Sequence, residues 1–192
     1  MVYSKKIVTR LTNLTNCREL LDTIAEGIGV NLACGSTVRF FLRIEERGQI
    51  TDAAFRSNGC GHSRVAADVL AQWVINKRLV ELHGLDDSAL REIFENEIGE
   101  IPDANIACIK AAISALKDAF ANFRSRRREE FRGEKALICT CFGVTEERIE
   151  DLIAKSQASS VEQVTDLSGA GGGCGSCRML IQELLDIRTV VL

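Results

Sequence analysis

Val65, Ala66, Val69, Leu70, Trp73 and Val74 recur at helical spacing, which predicts a helix over 63–80 with Trp73 in its core-facing stripe. Leu20, Leu21, Ile24 and Ile28 fall close to one helical face and predict another helix over 16–28. Between them the period changes. Residues 37–45, Thr-Val-Arg-Phe-Phe-Leu-Arg-Ile-Glu, are β-rich with partial alternation, and a second such run follows over 49–56. Gly48 stands where a hairpin must turn, so the two strands are expected to pair antiparallel. Further helices are predicted over 87–97 and 106–123, with the only proline, Pro102, punctuating the chain between them. Another apolar run at helical spacing, Met179-Leu-Ile-Gln-Glu-Leu-Leu185, predicts a helix near the C-terminus.

The apolar pattern breaks over 124–135, Arg-Ser-Arg-Arg-Arg-Glu-Glu-Phe-Arg-Gly-Glu-Lys, which reads as a charged linker or a frayed extension of the preceding helix. The arginines sit directly beside Glu129 and Glu130, the pattern of a solvated face rather than a nucleic-acid footprint. The expected organisation is an α+β domain over 1–123, this linker over 124–135, and a small, mainly helical domain over 136–192. With 46% hydrophobic residues the chain can bury a core, and its net charge of −3 offers nothing to nucleic acid. No apolar run approaches the roughly twenty residues that span a bilayer, and no signal peptide is evident, so no membrane association and a cytoplasmic setting are expected. There, eight cysteines point to ligands or reactive thiols rather than disulfides.

Four of these lie in two clips, Cys139-Thr-Cys141 and Cys174-Gly-Ser-Cys177, separated by 32 residues of helix-and-turn character. Four sulfur donors favour zinc or an iron-sulfur cluster. A zinc ribbon more usually has two C-x-x-C knuckles roughly fifteen to twenty residues apart, so zinc fits this spacing less well. The run Gly169-Ala-Gly-Gly-Gly-Cys-Gly-Ser-Cys places the second clip at a helix N-terminus, where backbone N–H groups and the dipole stabilise thiolates. Its glycines let the backbone approach inorganic sulfides. A phosphate-cradling loop would need a Gly-Lys-Ser/Thr ending, which is missing.

Of the remaining four, Cys34 precedes the first strand of the hairpin, Cys60 follows the second, and Cys108 opens the long helix. A hairpin returns to its starting end, which brings Cys34 and Cys60 together, and a helix start bearing Cys108 could complete a three-thiolate site. A thiol at a helix start has its pKa lowered by the dipole, which is expected to raise the thiolate fraction of Cys108. His62, two positions after Cys60, offers an imidazole as a fourth ligand. Cys17 reads as an ordinary thiol on an amphipathic helix and His83 as a residue near a helix end.

The segment running from Ala136-Leu-Ile-Cys-Thr-Cys-Phe-Gly-Val through Val161-Glu-Gln-Val-Thr-Asp-Leu to Gly171-Gly-Gly-Cys-Gly-Ser-Cys resembles the bacterioferritin-associated-ferredoxin-like domain of NifU-type nitrogen-fixation scaffolds. That resemblance implies a permanent 2Fe-2S cluster on Cys139, Cys141, Cys174 and Cys177. Residues 1–123 resemble the IscU-type scaffold domain through Tyr3-Ser-Lys-Lys, Gly59-Cys-Gly and Cys108 with its helix. This half of the resemblance implies a small antiparallel sheet packed with helices. It also implies an assembly site on Cys34, Cys60 and Cys108, where iron and sulfur build a transient 2Fe-2S or 4Fe-4S cluster for delivery to apo iron-sulfur proteins.

In the family the sulfur comes as a persulfide from a cysteine desulfurase, with the third cysteine, here Cys108, as acceptor. The chain is thus expected to be a scaffold and carrier rather than an enzyme, and a homodimer is carried by the resemblance alone. Two ligands usual in the family are replaced, by Ser36 after the first cysteine and by Ala107 before the third. The chaperone-docking motif has become Ile101-Pro-Asp-Ala-Asn105, and the usual third, C-terminal domain is expected to be lacking. The alternatives are an electron-transfer or redox-sensing 2Fe-2S protein whose first domain serves docking or stable metal binding, and a zinc protein occupying the N-terminal thiolates.

Overall fold

Three strands, β1 (Ala25–Asn31), β2 (Ser36–Ile44) and β3 (Ile50–Ser57), form an antiparallel meander in the order β1-β2-β3. The computed structural model describes residues 3–45, 48–130 and 136–190. The register aligns Ala25, Leu42 and Ala53 in one row and Gly27, Phe40 and Phe55 in the next, which gives the sheet one continuously buried face. The expected hairpin is therefore present, with a strand before it. Residues 16–28 form no helix: the chain runs irregularly to Ile24 and then enters β1. Gly27 and Gly29 are the physical reason, because helix α4 (Ile106–Glu130) packs directly on them. A Cβ on Gly27 would lie 2.1 Å from Ala119 N, and one on Gly29 would lie 1.9 Å from Ala111 O. α4 also covers the sheet's edge, where Ile28 N–H donates to Asp118 Oδ2 at 2.9 Å and Glu26 N–H to Asn122 Oδ1 at 3.3 Å.

Before the sheet comes α1 (Lys5–Leu11), started by Ser4, whose hydroxyl accepts Ile7 N–H. After the sheet, α2 (Gly61–Val74) buries eleven of its fourteen residues, so it is the central helix of this unit rather than an amphipathic surface one. Its buried Asp68 accepts Arg10 Nε at 3.0 Å and the backbone N–H groups of Thr15 and Asn16, fastening the irregular segment before β1 onto the helix. α2 stops earlier than the predicted position 80. Asn76 adopts a positive φ of 68°, and hydrogen bonds pairing Ile50 with Lys77 and Asn76 return the chain to β3. A short 3-10 turn (Leu79–Leu82) precedes α3 (Asp87–Ile98), which Asp86 caps and Gly99 ends. Pro102 leads into α4, which continues through the charged stretch as far as Glu130, while 131–135 lie outside the described residues.

The chain divides into two units: one holds α1, the sheet, α2, α3 and α4 to Phe123, and the other holds the elements after α4 with residues 78–83. In the second, β4 (Leu137–Cys139) pairs antiparallel with β5 (Val144–Thr145), a short ribbon that the apolar pattern does not announce. Three helices follow: α5 (Glu146–Ser156), α6 (Val161–Ser168) and α7 (Arg178–Val190). Thr145 and Ser160 cap the first two, and Gly169, at φ 79°, ends α6. Ile149, Ile153, Val164 and Ile181 form the centre of its core. Among the described residues no helix is long and apolar enough to cross a membrane.

Candidate metal centres

The first centre lies where the ends of β1, β2 and β3 meet the starts of α2 and α4. Cys34 sits in the turn between β1 and β2, closed by Asn31 O, which accepts the N–H groups of Cys34 and Gly35. Gly35 has φ 67°, a left-handed value that favours glycine, and a Cβ there would meet nothing within 4 Å. Cys34 is exposed, and Ser36 Oγ stands 3.1 Å from its Sγ. That hydroxyl, together with the Ser36 backbone, stabilises a thiolate and lowers the Cys34 pKa. Cys60 caps α2 in an extended conformation without using its side chain in the cap, so its thiol is half-buried and available. The glycines of Gly59-Cys-Gly61 are needed for space. A Cβ on Gly59 would lie 2.7 Å from Ser63 Oγ, and one on Gly61 would lie 2.8 Å from both Leu11 and Tyr3. Tyr3 Oη in turn accepts Gly61 N–H at 3.0 Å, so the opening of the chain is tied to the cysteine motif.

Cys108 lies in the first turn of α4 with its Sγ 3.4 Å from Cys60 Sγ. It is 8% exposed, and burial, followed by the neighbouring Cys60, pushes its pKa up to about 11. The expectation of a dipole-lowered pKa is thus reversed: desolvation outweighs the helix terminus. Asn31, which no motif or spacing singles out, is the link between loop and helix. Its side chain donates to Cys108 Sγ at 3.6 Å and accepts Ala33 N–H at 3.0 Å, which ties the Cys34 turn to Cys108. His62 is buried in the first turn of α2, with its ring 5.1 Å from that of Tyr3 and Nδ1 without a hydrogen-bond partner. Burial lowers its pKa and favours the neutral ring. Among the described residues no hydrogen bond joins it to a cysteine. Cys17 lies half-buried in the irregular segment before β1, and His83 is exposed after the 3-10 turn.

The second centre brings the two clips together. Cys139 ends β4 and Cys141 follows in the turn to β5, while Cys174 and Cys177 lie in the glycine-rich loop just before α7. Cys141 Sγ and Cys174 Sγ are 3.4 Å apart, and Cys177 lies near enough to Cys139 for that thiol to raise its pKa. Gly173 makes this approach feasible, because a Cβ there would lie 2.9 Å from Cys141 Cβ and 3.1 Å from its Sγ. Cys174 is exposed, and Ser176, through its hydroxyl and backbone, brings its pKa down to about 7. Burial, then Cys139, pushes Cys177 up to about 11, and burial also raises Cys141. The thiols stand as facing pairs: among the described residues no three His, Cys, Asp or Glu side chains are gathered as a ready site for a single ion. Two thiol pairs around a glycine-lined loop suit a two-iron centre, in which the four thiolates are divided between two irons.

Residues 2–130 match the family model described as the NifU-like N terminal domain. The chain belongs to that family. Residues 137–187 match a second model, the BFD-like 2Fe-2S binding domain. Nitrogen fixation protein NifU of Trichormus azollae is 30% identical over 165 residues, covering 84% of this chain and 54% of that protein. The chain thus spans about half the length of the NifU relatives it matches. The iron-sulfur cluster assembly scaffold protein IscU of Escherichia coli K12 is 28% identical over 131 residues, 66% of this chain and 98% of that protein. A solved NifU-like N-terminal structure from Brucella abortus superposes with a TM-score of 0.50 at 19% identity, covering 64% of this chain and 94% of that one. This likeness supports the α+β fold of the first unit.

Proposed function

We propose that this chain is an iron-sulfur cluster assembly scaffold that builds a transient cluster on its N-terminal unit, passes it to apo proteins, and carries a permanent 2Fe-2S cluster in its C-terminal unit. The observation that carries this reading is the meeting of thiols in the first unit: Cys60 Sγ lies 3.4 Å from Cys108 Sγ, and Asn31 ties the turn that bears Cys34 to Cys108. Three thiols on the ends of different elements, one buried, one half-buried and one exposed, suit a site that takes cargo from solvent and gives it up again. His62, with its unpartnered Nδ1, is assigned as the fourth donor, since Ser36 and Ala107 occupy the positions of the family's other ligands. In the second unit Cys139, Cys141, Cys174 and Cys177 would hold the resident cluster, which would supply or accept one electron when bound. The donor set fits, being four soft thiolates, two of them in a loop where Gly173 leaves room for Cys141.

The chain's own residues arrange delivery rather than turnover, so it acts as a carrier. A cysteine desulfurase would provide sulfur as persulfide, and apo iron-sulfur proteins would receive the product. The domains are assigned to 1–123 and 136–192 about the charged segment 124–135. Anaerobic purification with iron, sulfide and zinc analysis, before and after incubation with a desulfurase, cysteine and ferrous iron, tests the reading. A scaffold gains a second cluster that transfers to an apo ferredoxin. A protein that keeps only its original cluster is a redox module, and a colourless, zinc-loaded one removes both readings.

A further inference from the structure

The 3-10 turn Leu79–Leu82 lies within the stretch that matches the NifU-like N-terminal model, yet residues 78–83 belong to the unit that holds the second centre. Two contacts fasten the turn there. Arg78 Nη2 lies 3.9 Å from Asp166 Oδ1 on α6, and the half-buried Val80 stands against Gly172, two positions before Cys174. A Cβ on Gly172 would lie 2.8 Å from Val80 Cγ1 and 3.1 Å from both Val80 Cβ and Thr165 Cγ2. Gly171 and Gly175 have φ of 85° and 78°, whereas Gly172 lies outside the left-handed region. Glycine is therefore needed at 172 for the close approach of Val80 and not for its backbone conformation. The turn is itself held from behind, with Leu79 N–H donating to Gly48 O at 2.9 Å and Arg78 N–H to Glu81 Oε2 at 2.7 Å.

We infer, resting on the reading of Cys139, Cys141, Cys174 and Cys177 as ligands of the resident cluster, that Val80 is a tuning residue of the second centre. Its apolar side chain covers one side of the glycine run that leads into Cys174, keeps water from that backbone, and so holds down the reduction potential of a 2Fe-2S cluster bound there. Four thiolates already make such a centre negative, and reduction adds one more negative charge. Water stabilises the more highly charged, reduced form, so apolar cover disfavours reduction and its removal favours it. Val80 has no polar atom in its side chain and reaches the loop from a segment far from the clips in sequence, which is why neither clip announces it.

The test is a potentiometric titration of the full chain, purified anaerobically, followed by visible absorption and by the electron paramagnetic resonance signal of the reduced centre. At the potential where the unsubstituted chain is half reduced, Val80→Ala should raise the reduced-to-oxidised ratio about threefold, a positive shift of about 28 mV for one electron. Val80→Ile keeps the cover and should leave the midpoint where it was. Val80→Asp should titrate below Val80→Asn, because the two open the contact alike and differ by one negative charge. Gly172→Ala should push the turn away and shift the midpoint upward as Val80→Ala does. Combining the two substitutions should bring the midpoint back, since the new methyl fills the space that the valine leaves. A merely structural contact would change the unfolding midpoints of these variants and leave the potentials alone. If Val80→Ala does not fold, Val80→Thr, of the same shape, takes its place: an upward shift supports the inference and an unchanged midpoint overturns it. Equal midpoints in the unsubstituted chain, Val80→Ala and Val80→Asn, each with its centre intact, overturn this inference alone. A chain that shows no 2Fe-2S signal as purified overturns the resident-cluster reading and the inference with it.

Discussion

Cys174 and Cys177 sit three positions apart and are tuned in opposite directions, one to about 7 by Ser176 and the other to about 11 by burial and Cys139. In the metal-free chain, iodoacetamide at about pH 8 should therefore label Cys174 well before Cys177. A lowered thiol pKa leaves the group ionised above that value, so at about pH 6 labelling of Cys174 should slow roughly tenfold as its thiolate fraction falls. Peptide mapping of the modified cysteines checks both statements. In the first unit, His62→Ala should weaken retention of zinc or a cluster on the N-terminal thiols without changing the visible spectrum of the C-terminal centre. Metal analysis beside the absorption spectrum measures this, and equal metal content in both proteins would exclude His62 as a ligand. At this scale residue identity and spacing made the candidate sulfur donors legible, since no other residues present such soft ligands in close pairs. The tuning was not legible, because desolvation depends on what packs around each thiol. Asn31 left no signal at all, as a single asparagine at a strand end acquires its role only when α4 brings Cys108 beside it.

At the scale of elements, β1 shows how packing overrides periodicity. Leu20, Leu21, Ile24 and Ile28 have helical spacing, yet Leu20 covers Phe41 and Ala54 while Leu21 is exposed, and the chain between them and Asn31 is irregular and then extended. The two glycines in β1 were the available clue: each weakens a helix and permits a close approach of backbone to backbone. Gly27→Ala should destabilise the fold by about 1–3 kcal/mol, the usual cost of overpacking, because its Cβ would lie 2.1 Å from the backbone of α4. Asp68→Ala should cost about 3 kcal/mol or more, since it removes a buried carboxylate from Arg10 and leaves the N–H groups of Thr15 and Asn16 without their acceptor. Urea unfolding of each variant gives these differences directly. The helices fared better, with α3 and the start of α4 close to their predicted positions, because Asp86, Gly99 and Pro102 act locally at their ends. The end of α2 was placed too late, since it is set by the distant bonds between β3 and residues 76–77.

For the whole molecule, the proposed division of labour between two centres makes a simple prediction. Replacing Cys139, Cys141, Cys174 or Cys177 by serine should abolish the visible spectrum of the purified chain, whereas Cys34→Ser or Cys60→Ser should leave it intact and suppress only the second, transferable cluster. Absorption and electron paramagnetic resonance spectra of the reduced proteins distinguish the two effects, and loss of both centres in every variant would refute separate sites. The sequence by itself determined the α+β character of the first unit, the hairpin, the candidate donor residues and the resemblance to a cluster scaffold, because these follow from local period, composition and the spacing of chemically distinctive side chains. Only the tertiary structure decided that β1 is a strand under α4, that Asn31 joins the Cys34 turn to Cys108, and that Cys108 is buried against Cys60 rather than presented as a reactive thiolate. Each of those depends on which distant surfaces meet and exclude water, a property of the folded chain that no short stretch of residues encodes alone.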